Sequence, residues 1–353
     1  MQFWKVKREI ARFRQQLMAI PELVIEPLQN RRYDRDVRPS LAVVEGHTSY
    51  TSKVAVFLIY QPNGVSDSVI DTCQYLISKG YAPFILSNSP LSQADLVKLS
   101  PFAWRILARP NFGHDFGGYR EGLVSLLEWG IEPKFLCILN DSIWFPVYDT
   151  ETLIETAERQ PNAISGTILR ERDETRFLES YFYIVPAPVF RSAAFRNYWY
   201  GLRLTSNKYK VIRRGERGFS QAMARAGVAL NPVFPVEEFL SRLERVDEKF
   251  LRETLRYGTF PDAPLENKRK ALLAANHDGW RKDALAFIRS TIPKRMPYSA
   301  FPYAMTRLMG YPVLKKTSDP VSKNWRETTV KAWHSGDLPL PRKVVISEAV
   351  AKR

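Results

Sequence analysis

Between residues 53 and 140 the apolar positions fall into short blocks separated by polar segments that carry Gly or Pro. Val54–Tyr60, Ala82–Leu86, Trp104–Ala108 and Phe135–Leu139 are strand-sized blocks. Val54–Tyr60 is apolar throughout, as suits a strand covered on both faces. Between them, Val69–Ser78 closes on Lys79-Gly80, Leu91–Leu99 follows a turn, and Tyr119–Trp129 stops at Gly130, so all three read as helices. Strand and helix alternating in this way predict an α/β fold with a mostly parallel sheet and right-handed crossovers. Beyond Pro146 the pattern loosens. It still predicts a helix over Leu153–Arg159 and strands over Ala163–Leu169 and Tyr181–Val185. Glu216–Ala226 reads as a helix ended by Gly227, and residues 237–256 and 264–275 as further helices.

The ends of the chain look different. Val6, Ile10, Phe13, Leu17 and Ile20 recur at spacings of four and three, which places them on one helical face flanked by Lys5, Lys7, Arg8, Arg12 and Arg14. Such a helix can dock on its own protein's core or lie on an anionic membrane. Residues 27–50 are polar, hold the charged run Arg31–Arg38, and read as a linker. The last eighty or so residues are rich in Lys and Arg and punctuated by Pro293, Pro297, Pro302 and Pro312. The expected organisation is a basic amphipathic helix and linker over 1–50, a ligand-binding α/β domain over 51–240, and a mostly helical region over 241–353.

Composition narrows the partners. A net charge of +15 on 353 residues favours polyanions: nucleic acid, an anionic membrane or phosphorylated small molecules. No zinc-finger spacing, RNA-recognition signature or basic region with heptads is present, so no nucleic-acid partner is expected. The apolar runs are too short to span a bilayer, and basic residues interrupt the first twenty positions where a secretory signal would need an apolar core. A cytoplasmic protein is expected. The two cysteines, Cys73 and Cys137, fall in a helix and a strand and read as buried thiols.

The densest chemistry lies in Arg109-Pro-Asn-Phe-Gly-His-Asp-Phe-Gly-Gly-Tyr119, directly after the third strand. Gly113, Gly117 and Gly118 suggest a sharp turn and close backbone approach to a ligand. Asn111, His114, Asp115 and Arg120 add polar groups. A second cluster, Asn140-Asp141-Ser142, ends the fourth strand. Ligands of open parallel sheets bind outside the carboxyl ends of the strands, so both clusters should face one crevice. The glycines fit neither a Walker A loop nor a dinucleotide fingerprint. Backbone N–H groups near glycine suit a pyrophosphate instead. Asp141 could hold a divalent metal or a sugar hydroxyl, or simply an Asx turn. Glu216 and Glu179 are candidate general bases, or helix-end and surface carboxylates.

Together these pieces resemble the rhamnan synthesis protein F family of bacterial polysaccharide glycosyltransferases. The resemblance is carried by Asn111-x-Gly-His-Asp-Phe-Gly-Gly-Tyr119, similar to that family's N-x-G-R-D-x-G-x-Y loop, and by Ile138-Leu-Asn-Asp-Ser142 with Pro146. Weaker matches are Glu179-Ser-Tyr-Phe182, Phe195–Trp199 and Gly310-Tyr-Pro-Val-Leu-Lys315. It implies a GT-A-like, Rossmann-type fold. It also implies inverting transfer of a deoxysugar, most often rhamnose from dTDP-rhamnose, to a lipid-linked glycan at the inner membrane. Asn111, Gly113, His114, Asp115, Gly117, Tyr119, Asn140 and Ser142 would line the nucleotide-sugar site, and Glu216 would be the base. Asp141 stands where related enzymes carry an Asp-x-Asp metal motif. Either Mg²⁺ or Mn²⁺ there, or basic residues such as Arg213 and Arg214, would stabilise the leaving diphosphate. His114 replaces the family's arginine, and the second aspartate of Asp-x-Asp is missing. A catalytically silent relative that binds a glycan or a partner enzyme is the alternative.

Overall fold

The computed structural model describes residues 25–172 and 175–352, so the amphipathic helix expected over 1–20 lies outside the described residues. Eight strands form the central sheet: β1 (Val43–Glu45), β2 (Lys53–Ile59), β3 (Tyr81–Ser87), β4 (Arg105–Ala108), β5 (Phe135–Asn140), β7 (Ala163–Gly166), β10 (Phe182–Pro186) and β11 (Ala229–Pro232). Their order is β1-β4-β3-β2-β5-β10-β7-β11. The run β4-β3-β2-β5 is parallel, in the 3-2-1-4 order of a doubly wound sheet. β1 and β10 run against their neighbours. Two small ribbons complete the sheets, β6 (Ile143–Trp144) with β12 (Leu314–Lys315), and β8 (Leu169–Arg172) with β9 (Thr175–Leu178).

The side-chain period of two divides each buried strand between two cores. On β2, Ala55, Phe57 and Ile59 join Val69, Cys73 and Leu76 of α1 (Asp67–Ser78) on one face. Val54, Val56 and Leu58 meet Tyr119, Leu123 and Leu126 of α3 (His114–Glu128) on the other. α2 (Gln93–Leu99) is the short helix between them and opens with a capping box from Ser92 and Asp95. The C-terminal helices extend the first core, which takes in Trp280, Phe287, Tyr298, Trp325 and Trp333. Both thiols are buried and free.

Several boundaries differ from expectation. α3 begins at His114, five residues earlier than predicted, so Gly117, Gly118 and Tyr119 belong to a helix and not to a loop. A Cβ on Gly118 would lie 2.3 Å from Leu58 Cδ1, and one on Gly117 only 2.0 Å from the Phe112 carbonyl oxygen. These glycines let α3 press against β2 and against its own entry turn. The stretch read as a linker is structured: residues 25–32 are helical, Tyr33–Val37 forms a π turn, and β1 follows. Its charges are polar contacts of the fold. Arg38 pairs with Glu121 at 2.9 Å and Asp34 with Arg120 at 2.6 Å. The helix predicted over Glu216–Ala226 is a π turn, Ile212–Arg217, followed by a helix over Gly218–Arg225. Two helices, Val236–Leu243 and Glu248–Arg256, replace the single one predicted over 237–256.

Candidate active site

At the carboxyl ends of β2, β3, β4 and β5 the chain leaves a crevice of about 580 Å³. Asn111, His114, Asp115, Asp141 and Ser142 all line it, as do Tyr60, Gln61 and Asn88. The two polar clusters, separated by a helix and a strand in sequence, therefore meet in one place. A cavity of similar size, about 560 Å³ at the β11 edge, is lined by Leu169, Gln221 and Arg225 and holds none of the candidate residues.

The entry to α3 sets the geometry. Gly113 caps the helix with φ +84, and His114 follows with φ 50 in the same left-handed region. Glycine carries the first of these without steric cost, whereas histidine bears strain at the second. The turn is held from behind. Buried Arg109 donates to Asn88 Oδ1 at 2.6 Å, to the Phe112 carbonyl at 2.6 Å and to Tyr33 Oη at 2.8 Å. Asn88 in turn donates to the His114 carbonyl at 3.0 Å. The His114 ring rests 3.1 Å from the Ser206 carbonyl.

Asp115 opens onto the crevice, and Asn140 Nδ2 donates to its Oδ2 at 3.2 Å. Although its surface is exposed there, the surrounding protein displaces much of its solvent. That desolvation, and after it the charge of Asp141, push the Asp115 carboxyl above the usual range. Asp141 Oδ2 accepts from the Tyr60 amide at 2.8 Å and from Gln61 Nε2 at 2.6 Å. Desolvation raises its pKa too, opposed by Gln61 and by Lys316. Asn140 is buried, and its Oδ1 accepts from the Ser142 amide and hydroxyl at 3.1 and 2.5 Å. It orients the turn that presents Asp141.

Gly113 and Asn140 lie behind the crevice lining, and Gly117, Tyr119 and Arg120 are turned away from it. Gly117 packs inside α3, and Tyr119 is fully buried, donating to the Ser180 carbonyl at 2.9 Å. Arg120 is buried against Asp34 and supplies no free polar group. Arg214, offered as a cation for the leaving group, pairs with Glu26 at 2.9 Å, and Arg213 is exposed outside the crevice lining. The cations that do line the crevice are Lys208, Lys316 and Lys352.

Glu216 stands one helical turn beyond Ile212, a crevice residue, in a neighbouring acidic cluster. Its Oε1 accepts from the Ser180 amide and hydroxyl, both at 3.1 Å. Desolvation, then the charge of Glu179, raise its pKa. Glu179 is buried, accepts from Tyr298 Oη at 2.6 Å, and faces Arg170 at 3.4 Å and Lys315 at 4.0 Å. Lys315 acts electrostatically on Asp115 as well as on Glu216, which links the cluster to the crevice.

Among the described residues no group of three or more Asp, Glu, His or Cys side chains converges as a metal cage. Asp115 and Asp141 do fit the way Mg²⁺ is commonly held, by one or two carboxylates completed by substrate phosphates and water.

Sequence reasoning missed Tyr60, Gln61 and Asn88. Each follows a parallel strand at its carboxyl end, so the strand-end rule that found Asp141 would have found them. Lys208, Lys316 and Lys352 carry no local signal; only the tertiary fold brings them to the crevice.

Comparison with known proteins agrees with the loop motifs. A structure described as a candidate nucleotide-diphospho-sugar transferase from Desulfovibrio desulfuricans G20 covers 68% of this chain and 95% of its own at 14% identity. Its TM-score of 0.33 is too low for its function to be carried over. An uncharacterised protein of Sinorhizobium fredii, y4gN, is 30% identical over 256 residues, covering 72% of this chain and 67% of the relative. The family model for rhamnan synthesis protein F matches residues 84–251, a span that holds both the Asn111–Tyr119 segment and Asn140-Asp141-Ser142. With these matches, the chain belongs to the rhamnan synthesis protein F family.

Proposed function

We propose that this protein is a glycosyltransferase that moves a deoxysugar, rhamnose from dTDP-rhamnose, onto a lipid-linked glycan during bacterial cell-surface polysaccharide synthesis. The observation that carries the reading is the convergence of Asn111, His114, Asp115, Asp141 and Ser142 at the carboxyl ends of parallel strands, opposite three lysines. A nucleotide-diphospho-sugar offers the matching groups. The exposed Tyr60 ring gives a stacking face for a base, the lysines suit phosphates, the carboxylates suit a phosphate-bound cation, and the amides suit sugar hydroxyls. A crevice of about 580 Å³ is in the size range of small-molecule and cofactor pockets.

The reaction is an inverting displacement. An acceptor hydroxyl oxygen attacks the anomeric carbon as the bond from that carbon to the diphosphate oxygen breaks, and the electron pair leaves with the diphosphate. Glu216 takes the hydroxyl proton. Desolvation raises its pKa, which makes its carboxylate a stronger base, and the Ser180 contacts fix its orientation. Asp141 and Asp115 would hold a divalent cation, Mg²⁺ or Mn²⁺, whose chemistry is neutralisation of diphosphate charge. Crevice lysines contribute to the same end. No helix among the described residues is long and apolar enough to cross a membrane. We place the protein on the cytoplasmic side of the inner membrane as a peripheral protein, where a lipid-linked acceptor would be reached. Its net charge of +15 supports attraction to that anionic surface.

Thermal shift with a panel of nucleotides and nucleotide sugars, with and without Mg²⁺ or Mn²⁺, tests the donor. A ligand that binds the native state raises the melting temperature. A rise with dTDP or dTDP-rhamnose that disappears in Asp115→Ala is the expected result. Flat curves with every nucleotide, with and without metal, would remove the glycosyltransferase reading.

A further inference from the structure

The family match ends at residue 251, yet two of the three crevice lysines come from the last forty residues of the chain. Lys316 directly follows β12, which pairs with β6 through Leu314↔Trp144 and Lys315↔Ile143. Its own amide donates to the Ser142 carbonyl at 2.8 Å. The strand after Asp141 thus carries Lys316 to the crevice. Only 9% of Lys316 is exposed, and its Nζ lies 5.6 Å from the centre of the Trp144 ring and donates to Ser68 Oγ at 2.6 Å.

Ser68 is held in turn by the last helix, Lys343–Ala351. Glu348 accepts from the Ser68 amide at 2.9 Å, from its hydroxyl at 2.6 Å and from Trp144 Nε1 at 2.8 Å. One turn further on, Lys352 reaches the crevice. Buried Arg326 ties these pieces together by donating to the Lys352 carbonyl at 3.0 Å and to the carbonyls of Lys315 and Thr317 at 3.3 and 3.2 Å. A nearly buried ammonium is costly unless it is matched by negative charge. Asp141 and Glu348 supply part of that charge, while Lys352 brings a second positive charge beside Lys316. A bound polyanion would complete it.

We propose that Lys316 and Lys352 form the diphosphate-binding end of the crevice, and that Glu348 is a positioning residue that holds it through Ser68. The proposal rests on the nucleotide-sugar reading and makes the C-terminal segment part of the donor site. Asp115 and Asp141 then lie beside the diphosphate, where they would hold a cation, and the nucleoside lies toward Tyr60 and Asn88.

Calorimetric titration of the full chain with thymidine, dTDP and pyrophosphate tests this. The wild type binds dTDP and pyrophosphate. Lys352→Ala, at an exposed position that leaves the fold intact, weakens both by about tenfold, the scale of one lost hydrogen bond to a charged group. Its thymidine affinity stays unchanged. Lys316→Met and Glu348→Gln show the same split between phosphate-bearing and phosphate-free ligands. Loss of thymidine affinity in parallel would mark a general structural defect and overturn the assignment. Wild-type affinity for dTDP and pyrophosphate in Lys352→Ala and Lys316→Met would also overturn it while leaving the donor reading standing. A wild-type chain that binds none of the three would remove the donor reading and this inference together.

Discussion

Two polar regions meet at the start of α3, and they differ in what their side chains have left to offer. Behind the turn, Arg109, Tyr33, Glu121, Arg38, Arg120 and Asp34 form a network in which each charge meets a partner of the fold. In front of it, Asn111 and Lys208 make no side-chain hydrogen bond among the described residues, and Asp115 accepts one from Asn140. The two regions look alike in sequence, since both mix Arg, Asp, Asn and aromatic residues. What separates them is satisfaction. A fully partnered polar group stabilises geometry, and an open one is free to bind.

The largest effect should come from breaking the partnered side. Arg109→Ala removes three hydrogen bonds and leaves buried acceptors behind, so unfolding free energy in urea should fall by about 3–5 kcal/mol. A loss below about 1 kcal/mol would mean the network is not what holds the turn. Glu216→Gln tests the neighbouring acidic cluster. Transfer to acceptor should slow by roughly 10²–10⁴-fold, as for loss of a general base, while dTDP-sugar affinity is retained. Equal rates in variant and wild type would assign the base elsewhere, with Glu179 the nearest alternative. Gly117→Ala follows, at about 1–3 kcal/mol of stability, because the new Cβ overlaps the Phe112 carbonyl. If it instead weakens ligand binding at unchanged stability, the glycine faces a ligand after all. On the open side, Asn111→Ala should shift stability by less than about 0.5 kcal/mol yet weaken donor binding measurably by calorimetry.

The parallel half of the sheet was legible because its strands are short, mostly apolar blocks alternating with helices, and strand ends are where such sheets bind ligands. Asp115 and Asp141 were found by that rule. β10 was read as a strand over Tyr181–Val185, but its antiparallel direction was not, since an apolar run carries no sign of direction. Gly117 and Tyr119 were misread because a helix that packs tightly on a sheet needs glycine for the same steric reason that a ligand loop does. Only the start of α3, one turn earlier than expected, tells the two apart. Arg120 was misread because its partner, Asp34, lies in a stretch that looked like a linker. Lys316 and Lys352 were invisible because their value comes from contacts across more than two hundred residues.

The smallest expected effect is also the most direct test of the open side. Asp115 has its pKa raised in the folded protein, so the native state holds its proton more tightly than the unfolded chain does. Stability from this group is therefore highest below the unfolded carboxylate value of about 4 and declines as pH rises through the raised native value. Asp115→Asn removes that decline. In metal-free buffer with a chelator, the variant should melt above the wild type at pH 7, and the gap should close as pH falls toward 4. The gap measures the repulsion from Asp141 and the lost solvation. Adding Mg²⁺ should narrow it by raising the melting point of the wild type alone, if the two aspartates hold the cation together. A variant less stable than wild type at pH 7 would show instead that the Asn140–Asp115 hydrogen bond belongs with the partnered network, and the boundary between the two regions would move to the crevice side of Asp115.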